Sequence, residues 1–184
     1  MLVLGIGGSM RPGSTTEIVL RAILEAAAAR GADTDLVAGP DLVLPPYEPG
    51  RLDSPSAIRI VKQMRAADAI VLGSPGYHGS ISGLVKNAID YSEELRTDER
   101  VYFDGLPVGC VATAHGWSGA VHTLGALRDI VHALRGWPTP LGLAINGAQP
   151  GVVEDGQIAS ATLREQTDLV ARQLLAFPVR RSLN

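Results

Sequence analysis

Hydrophobic and polar positions along this chain alternate between two textures. Short unbroken apolar runs, of a length that suits a strand covered on both faces, are separated by longer stretches in which apolar residues recur every third or fourth position. The first run is Leu2 to Ile6 (LVLGI). The first periodic stretch, Thr15 to Arg30, sets Ile18, Ala22 and Ala26 on one helical face and Glu17, Arg21 and Glu25 at i, i+4 spacing on another, and ends at Gly31. The pattern then predicts a strand over about Asp35 to Ala38, a helix over Ser56 to Ala66, a strand at Ala69 to Gly73 and a helix over Ser82 to Leu95. A strand at Pro107 to Thr113, a helix over Ala120 to Arg135, a fifth strand near Leu141 to Ile145 and a last helix over Ser160 to Ala176 complete it. Such regular alternation is the signature of a parallel sheet with helices on both faces. The expectation is one α/β domain over residues 1–184, a doubly wound five-stranded parallel sheet of order 2-1-3-4-5.

Composition narrows the function classes. With 46% hydrophobic residues in 184, the chain can bury a real core, which excludes a disordered or fibrous protein. Net charge is −3 and the basic residues are scattered singly, so there is no footprint for nucleic acid or an anionic membrane, and a small-molecule partner is expected. The single cysteine, Cys110, lies in the apolar run LPVGCVAT and reads as a buried structural thiol, excluding disulfides and a cysteine metal site. No His, Asp or Glu cluster has metal-ligand spacing, so no metal is expected. The first apolar run has no basic region ahead of it and is too short for a signal peptide or a membrane span, which makes cytoplasmic localisation the expectation. Two irregular segments stand out, Gly39 to Pro55, rich in proline, and Asn146 to Gln157, rich in glycine.

In an open parallel sheet, ligands bind beyond the carboxyl ends of the strands where strand order reverses, so the loops that follow strands carry the information. After the first strand comes GGSMRPGSTT (Gly7 to Thr16), after the third SPGYHGSISG (Ser74 to Gly83), and after the fourth AHGWSG (Ala114 to Gly119). In the 2-1-3-4-5 order the first two face each other across one crevice. The first leads into a helix N-terminus, where free N–H groups favour an anion; Ser9, Ser14, Thr15 and Thr16 add hydroxyls and Arg11 a full charge. Phosphate is the natural ligand, although Ser14 or Thr15 could simply cap the helix.

Three rival phosphate motifs fail. No Gly-Lys-Ser/Thr occurs, as a Walker A loop requires. The dinucleotide GxGxxG has only Gly5 and Gly7, with Met10 at its third glycine and no acid at the end of strand two. A phosphorylatable receiver would show acids where Gly7, Gly8 and Ser74 stand. The second loop brings Tyr77, His78 and a small-residue backbone beside the first, which suits a flat heteroaromatic ring. No Gly-x-Ser-x-Gly elbow is present for hydrolase chemistry.

Together the two loops resemble the NAD(P)H-dependent FMN reductase family of flavodoxin-like flavoproteins. Gly8, Ser9, Arg11 and Ser14 match its Gly-Ser-x-Arg-x-x-Ser. Pro75, Tyr77, Gly79, Ser80, Gly83, Lys86, Asn87 and Asp90 match its Pro-x-Tyr-x-Gly-Ser-x-x-Gly-x-x-Lys-Asn-Ala-Ile-Asp. The resemblance implies a flavodoxin-like fold and FMN as cofactor, with NADPH or NADH as electron donor. It further implies that Ser9, Arg11, Ser14 and Thr16, with Thr15 beside them, hold the FMN phosphate. Pro75, Gly76, Tyr77, His78, Gly79 and Ser80 would lie along the ring and ribityl chain. Ala114, His115, Gly116, Trp117 and Gly119, which replace a more glycine-rich pattern, would be further ring contacts. Thr16 stands where the family often has asparagine. No catalytic acid, base or nucleophile is expected, because the flavin carries the chemistry.

Lys86, Asn87 and Asp90 read as structural, Lys86 and Asp90 being i, i+4 partners on one helix. The resemblance also implies a homodimer or homotetramer, with Gly39 to Pro55 and Lys86 to Tyr91 as candidate interface elements, and admits a flavin-dependent monooxygenase as partner. Alternatives are a quinone, azo or metal-oxyanion reductase with tightly bound FMN, a non-catalytic flavodoxin-type electron carrier, and a nucleotide-binding regulatory domain. The carrier fits poorly with a chain this mildly acidic.

Overall fold

The computed structural model describes residues 1–177; the expected domain runs to 184, and residues 178–184 lie outside the described residues. In chain order the larger elements are β1 (Leu2–Gly7), α1 (Thr15–Ala28), β2 (Asp33–Val37), α2 (Pro55–Ala66), β3 (Ala69–Tyr77), the short β4 (Ser80–Ile81), α3 (Gly83–Asp90), β5 (Pro107–Ala114) and α4 (Trp117–Ala133). There follow β6 (Trp137–Pro138), β7 (Leu143–Asn146), the hairpin strands β8 (Val153–Glu154) and β9 (Gln157–Ile158), and α5 (Ala161–Ala176). The parallel sheet runs β2-β1-β3-β5, and its fifth position beside β5 is shared by β6 and β7. This is the order 2-1-3-4-5 in which β1 and β3 are direct neighbours, paired from Val3↔Ala69 to Gly7↔Gly73.

Side chains alternate across the strands and sort into two apolar layers. Leu4, Ile6, Ile70, Leu72, Val108 and Cys110 face α2, α3 and α4, whereas Val3, Ala69, Val71 and Val111 face α1 and α5. Ile23 and Val170, on α1 and α5, are wholly buried in the second layer, as Ile60 and Leu127 are nearly or wholly buried in the first. A sheet covered on both faces leaves only its edges open to ligand, which is why the site sits where the strands end.

Several boundaries differ from the sequence reading. The fifth strand, expected near Leu141 to Ile145, is found as β7 at Leu143–Asn146, and the chain also pairs with β5 earlier, as β6 at Trp137–Pro138; Pro140, with no N–H to give the ladder, lies between the two. Strand β3 continues four residues past its apolar run and turns back as β4. The helix expected to Leu95 is α-helical only to Asp90 and tightens into a 3-10 turn over Tyr91–Leu95. Helix α4 starts at Trp117, with Ala120 N–H already donating to the Gly116 carbonyl at 3.1 Å. Part of the glycine-rich segment forms the β8–β9 hairpin.

Candidate functional site

Where β1 ends, its backbone runs against β3. Gly7 has φ +145°, and a Cβ there would overlap the Gly73 carbonyl; the next N–H, that of Gly8, donates to the same carbonyl at 3.1 Å. Only glycine permits this approach, and it launches the loop 8–14 over the end of the sheet. Ser14 closes the loop as N-cap of α1, its Oγ accepting from the Glu17 N–H at 3.3 Å while its carbonyl accepts from Ile18 N–H at 3.0 Å. The N–H groups of Thr15 and Thr16 are left without intrahelical acceptors.

The charge around this turn favours an anion. Arg11 is exposed and has no ion pair among the described residues. The one carboxylate of the first helical turn, Glu17, is engaged by the Arg21 guanidinium at 2.7 Å and 3.0 Å. A cleft of about 350 Å³ opens here, lined by Ser9, Arg11, Ser14, Thr15, Thr16, Pro75, Gly76, Tyr77, Thr113, Ala114, His115 and Gly147. None of these is an aspartate or glutamate. All five candidate residues of the first loop are thus brought together.

The second loop contributes selectively. Ser74 is fully buried; its Oγ accepts from Ser82 N–H at 2.9 Å and donates to the Pro75 carbonyl at 2.8 Å, which folds the chain back as a hairpin. The two turn residues, His78 (φ +51°) and Gly79 (φ +88°), have the left-handed backbone of the two-residue turns that match strand twist. That geometry holds Pro75, Gly76 and Tyr77 in the cleft wall and carries His78, Gly79 and Ser80 to the exposed tip, outside the lining. Gly76 rests on α4, where a Cβ would run into the Thr123 hydroxyl and come within 3.3 Å of the Gly119 carbonyl.

From the third loop, Ala114 and His115 line the cleft. Gly116, Trp117 and Gly119 do not, because α4 begins there: Gly116 is its N-cap, Gly119 packs beneath Gly76, and Trp117 projects 52% exposed.

Two lining residues, Thr113 and Gly147, lie outside all three loops. Thr113 is the only hydroxyl in the otherwise apolar run of β5, a polar group at the carboxyl end of a central strand, and its Oγ1 lies 2.7 Å from that of Thr16. That position was the signal available in the sequence. Gly147 follows β7, its N–H donating to the Ala114 carbonyl at 2.8 Å, and nothing distinguishes it in a glycine-rich segment.

The motif residues beyond the hairpin act within the chain. Lys86 pairs with Asp90 at 2.6 Å. Asn87 clips the proline-rich segment: its Oδ1 accepts from Tyr47 N–H at 2.8 Å, and its Nδ2 donates to the Pro45 and Leu44 carbonyls at 2.9 Å and 3.3 Å. The Tyr91 hydroxyl adds a bond to the Pro45 carbonyl at 3.0 Å. Burial pushes the Cys110 thiol up to about 12, so no reactive thiolate forms there at neutral pH. Among the described residues no three His, Cys, Asp or Glu side chains gather as a metal site would require, and no helix is long and apolar enough to cross a membrane.

Comparison with known proteins decides the family. Residues 1–150 match the model for NADPH-dependent FMN reductase. The chain belongs to that family. Its curated relatives include the FMN-dependent NADPH-azoreductase of Staphylococcus aureus, 34% identical over 114 residues that make up 61% of this chain and 57% of the relative. An iron-sulfur flavoprotein of Methanocaldococcus jannaschii is 36% identical over 104 residues, 52% of this chain and 54% of that protein. The chain therefore spans just over half the length of these family relatives. Among solved structures, the flavoenzyme NAD(P)H:(acceptor) oxidoreductase FerB from Paracoccus denitrificans superposes with a TM-score of 0.73 over 96% of this chain and 98% of that one. At 21% identity that likeness is one of fold.

Proposed function

We propose that the protein is an NAD(P)H-dependent FMN reductase built as a single domain. The observation that carries this reading is the pairing of an anion seat with a ring wall across the β1–β3 switch point. The seat combines the first turn of α1 with the unpaired Arg11, and the wall is Pro75–Tyr77, in one acid-free cleft. The cleft also fits the group in its chemistry. Its unpaired donors are concentrated at the helix end, as a terminal phosphate requires, while apolar and backbone surface lies opposite, as an aromatic ring requires.

When bound, FMN supplies the ring that accepts hydride from the nicotinamide. The protein's part is placement. Arg11 neutralises phosphate charge, Thr15 and Thr16 offer backbone N–H groups, and Ser9 and Ser14 offer hydroxyl protons. Pro75 and Gly76 keep the wall flat and close, and Tyr77, 55% exposed at its rim, presents an aromatic face to the ring or to an incoming reactant. His115 stands at the β5 side of the cleft, where its N–H can meet a ring carbonyl. Of the remaining residues assigned to the flavin by the motif, His78, Gly79, Ser80, Gly116 and Trp117 would meet it from the rim, and Gly119 would act through Gly76, which rests on it.

The acceptor is the finer part of the proposal. The similarity to an FMN-dependent NADPH-azoreductase supports an acceptor that enters the same open cleft and takes electrons there, in place of release of reduced flavin to a monooxygenase. A flavodoxin-type carrier is disfavoured by the absence of acids from the lining. The homodimer or homotetramer that the family resemblance implies is supported by Trp117 and Val121, one helical turn apart on α4 and both more than half exposed. Use of a nicotinamide donor supports a cytoplasmic setting.

The test is a visible spectrum of the purified protein titrated with FMN, followed by NADPH or NADH without oxygen, with gel filtration of the same sample. Bleaching of the bound flavin by either nucleotide, and elution as an oligomer, are expected. Flavin that binds but stays oxidised would assign the carrier role, and no flavin binding would overturn the proposal. Arg11→Ala should weaken FMN binding roughly 10- to 150-fold, the worth of a charge-assisted hydrogen bond of about 1.5 to 3 kcal/mol. Unchanged affinity would remove Arg11 from the phosphate.

A further inference from the structure

Two buried hydroxyls meet beneath the cleft, where its two halves join. Thr16, the second residue of α1, is 1% exposed, and Thr113, next to last in β5, is 7% exposed. Their Oγ1 atoms are 2.7 Å apart, and both residues are among those that line the cleft. A hydroxyl in a helix can spend its proton on a carbonyl of the preceding turn, as Thr167 does with Arg164 at 2.7 Å. Thr16 makes no such bond, and Thr113 has no further protein partner among the described residues.

The proton count follows. Each hydroxyl carries one proton and two lone pairs, and a single bond between the two consumes one proton. Among the described residues the second proton has no acceptor. A nine-tenths buried donor without a partner is costly, and the cleft that both threonines line offers space for an acceptor.

We infer that Thr113 is a positioning residue for the cofactor phosphate: it donates to Thr16 Oγ1 and so turns the Thr16 proton toward a phosphate oxygen at the α1 N-terminus. This inference rests on the FMN reading above. The polarity comes from the ligand. A phosphate close to fully ionised offers acceptors, so the hydroxyl beside it must donate. Thr16, in the same helical turn as the open N–H groups, is that hydroxyl, and Thr113, reached across the crevice floor, fills its lone pair. Each bond in such a chain polarises the next, so the donor offered to the phosphate is strengthened by the bond behind it. The opposite polarity would present a Thr16 lone pair to the anion, which repels it. The bridge also ties the phosphate turn to the strand that carries Ala114 and His115, so a ligand anchored at one end sets the position of the other.

The test compares FMN with riboflavin, which lacks only the phosphate, by quenching of flavin fluorescence on the apoprotein. Thr113→Val keeps the shape of the side chain and removes its proton; Thr113→Ser keeps the proton. Thr113→Val is expected to weaken FMN binding by up to about tenfold, the worth of the hydroxyl–hydroxyl bond that aims the Thr16 proton, and to leave riboflavin unchanged. Thr113→Ser is expected to restore FMN binding. The phosphorus resonance of bound FMN should move in Thr113→Val and return in Thr113→Ser, and Thr16→Val combined with Thr113→Val should bind FMN no worse than Thr16→Val alone. Should Thr113→Val fail to fold, Thr113→Ala is read the same way.

Equal weakening of FMN and riboflavin would assign Thr113 to the ring, the ribityl chain or the fold, and overturn the relay. So would unchanged FMN affinity, or additive effects in the double variant. Wild-type protein that binds no FMN would overturn the flavin reading and the relay together, whereas a defect confined to the variants leaves that reading standing.

Discussion

Single residues decide whether this site can exist. Gly7 is the clearest case, because two constraints meet on one Cα: a backbone angle that side chains avoid, and a neighbouring strand so near that a methyl group would overlap the Gly73 carbonyl. Gly7→Ala must therefore move β1 away from β3 at the point where the phosphate loop departs. The expected cost is on the order of 2 to 6 kcal/mol, the sum of backbone strain and overpacking, and it should appear as a drop in the denaturant midpoint. Gly13→Ala, also at positive φ (+64°) but with open space around its Cβ, carries the strain alone and should cost less. Equal costs would show that crowding against β3 is not the constraint.

At the scale of elements, the motif helix α3 works as a clip. Asn87 uses both ends of its amide to hold residues 44–47, and Tyr47 and Tyr91 lock edge to face beside it, their ring centroids 5.2 Å apart. Asn87→Ala removes three hydrogen bonds and leaves the half-buried Tyr47 N–H and the Leu44 carbonyl to find water, while the Pro45 carbonyl keeps the Tyr91 hydroxyl. A loss of about 1 to 3 kcal/mol is expected, together with faster hydrogen exchange at the Tyr47 amide and unchanged FMN affinity. Slow exchange at Tyr47 in the variant would show that the segment holds itself. Elements were also the scale at which the sequence could be read best. Strand runs such as AIVLG and the i, i+4 faces of α1 reflect burial on fixed periods, and they place the loops in the right order around the sheet. The departures have local causes that apolar pattern does not record. The separate pairing of β6 and β7 with β5 follows from Pro140 between them, and the extension of β3 follows from Ser74 catching the returning Ser82 N–H. The cleft was legible where a loop composition announces it, as with Ser9, Arg11 and Ser14. It was hidden where a lone hydroxyl ends an apolar strand, as with Thr113, because its meaning depends on Thr16, 97 residues away.

The whole molecule adds a dependence on pH that no single loop shows. Burial pushes the Cys110 thiol from its ordinary 9.0 up to about 12. Burial, followed by the hydrogen bond to Glu94, pushes the Tyr47 phenol from 10.0 up to about 12. Both groups are thus held protonated by the fold. Below pH 9 folded and unfolded chains bind these protons equally, and the stability associated with them is fully present. Above it the unfolded thiol releases a proton that the folded one keeps, so stability falls as pH rises from about 9 toward 12, with the phenol joining from about 10. The buried thiol can contribute a slope of up to about 1.4 kcal/mol per pH unit inside its window, and the only partly buried Tyr47 phenol, screened by solvent, a smaller one. Urea midpoints taken from pH 8 to 11 should therefore decline, and Cys110→Ala should flatten the first part of the decline and Tyr47→Phe the later part. Cys110→Ala loses packing at every pH, so the diagnostic quantity is the slope and not the height of the curve. A Cys110→Ala curve parallel to the wild type between pH 9 and 10 would show that the thiol ionises freely in the fold, and would contradict its burial between the sheet and α4.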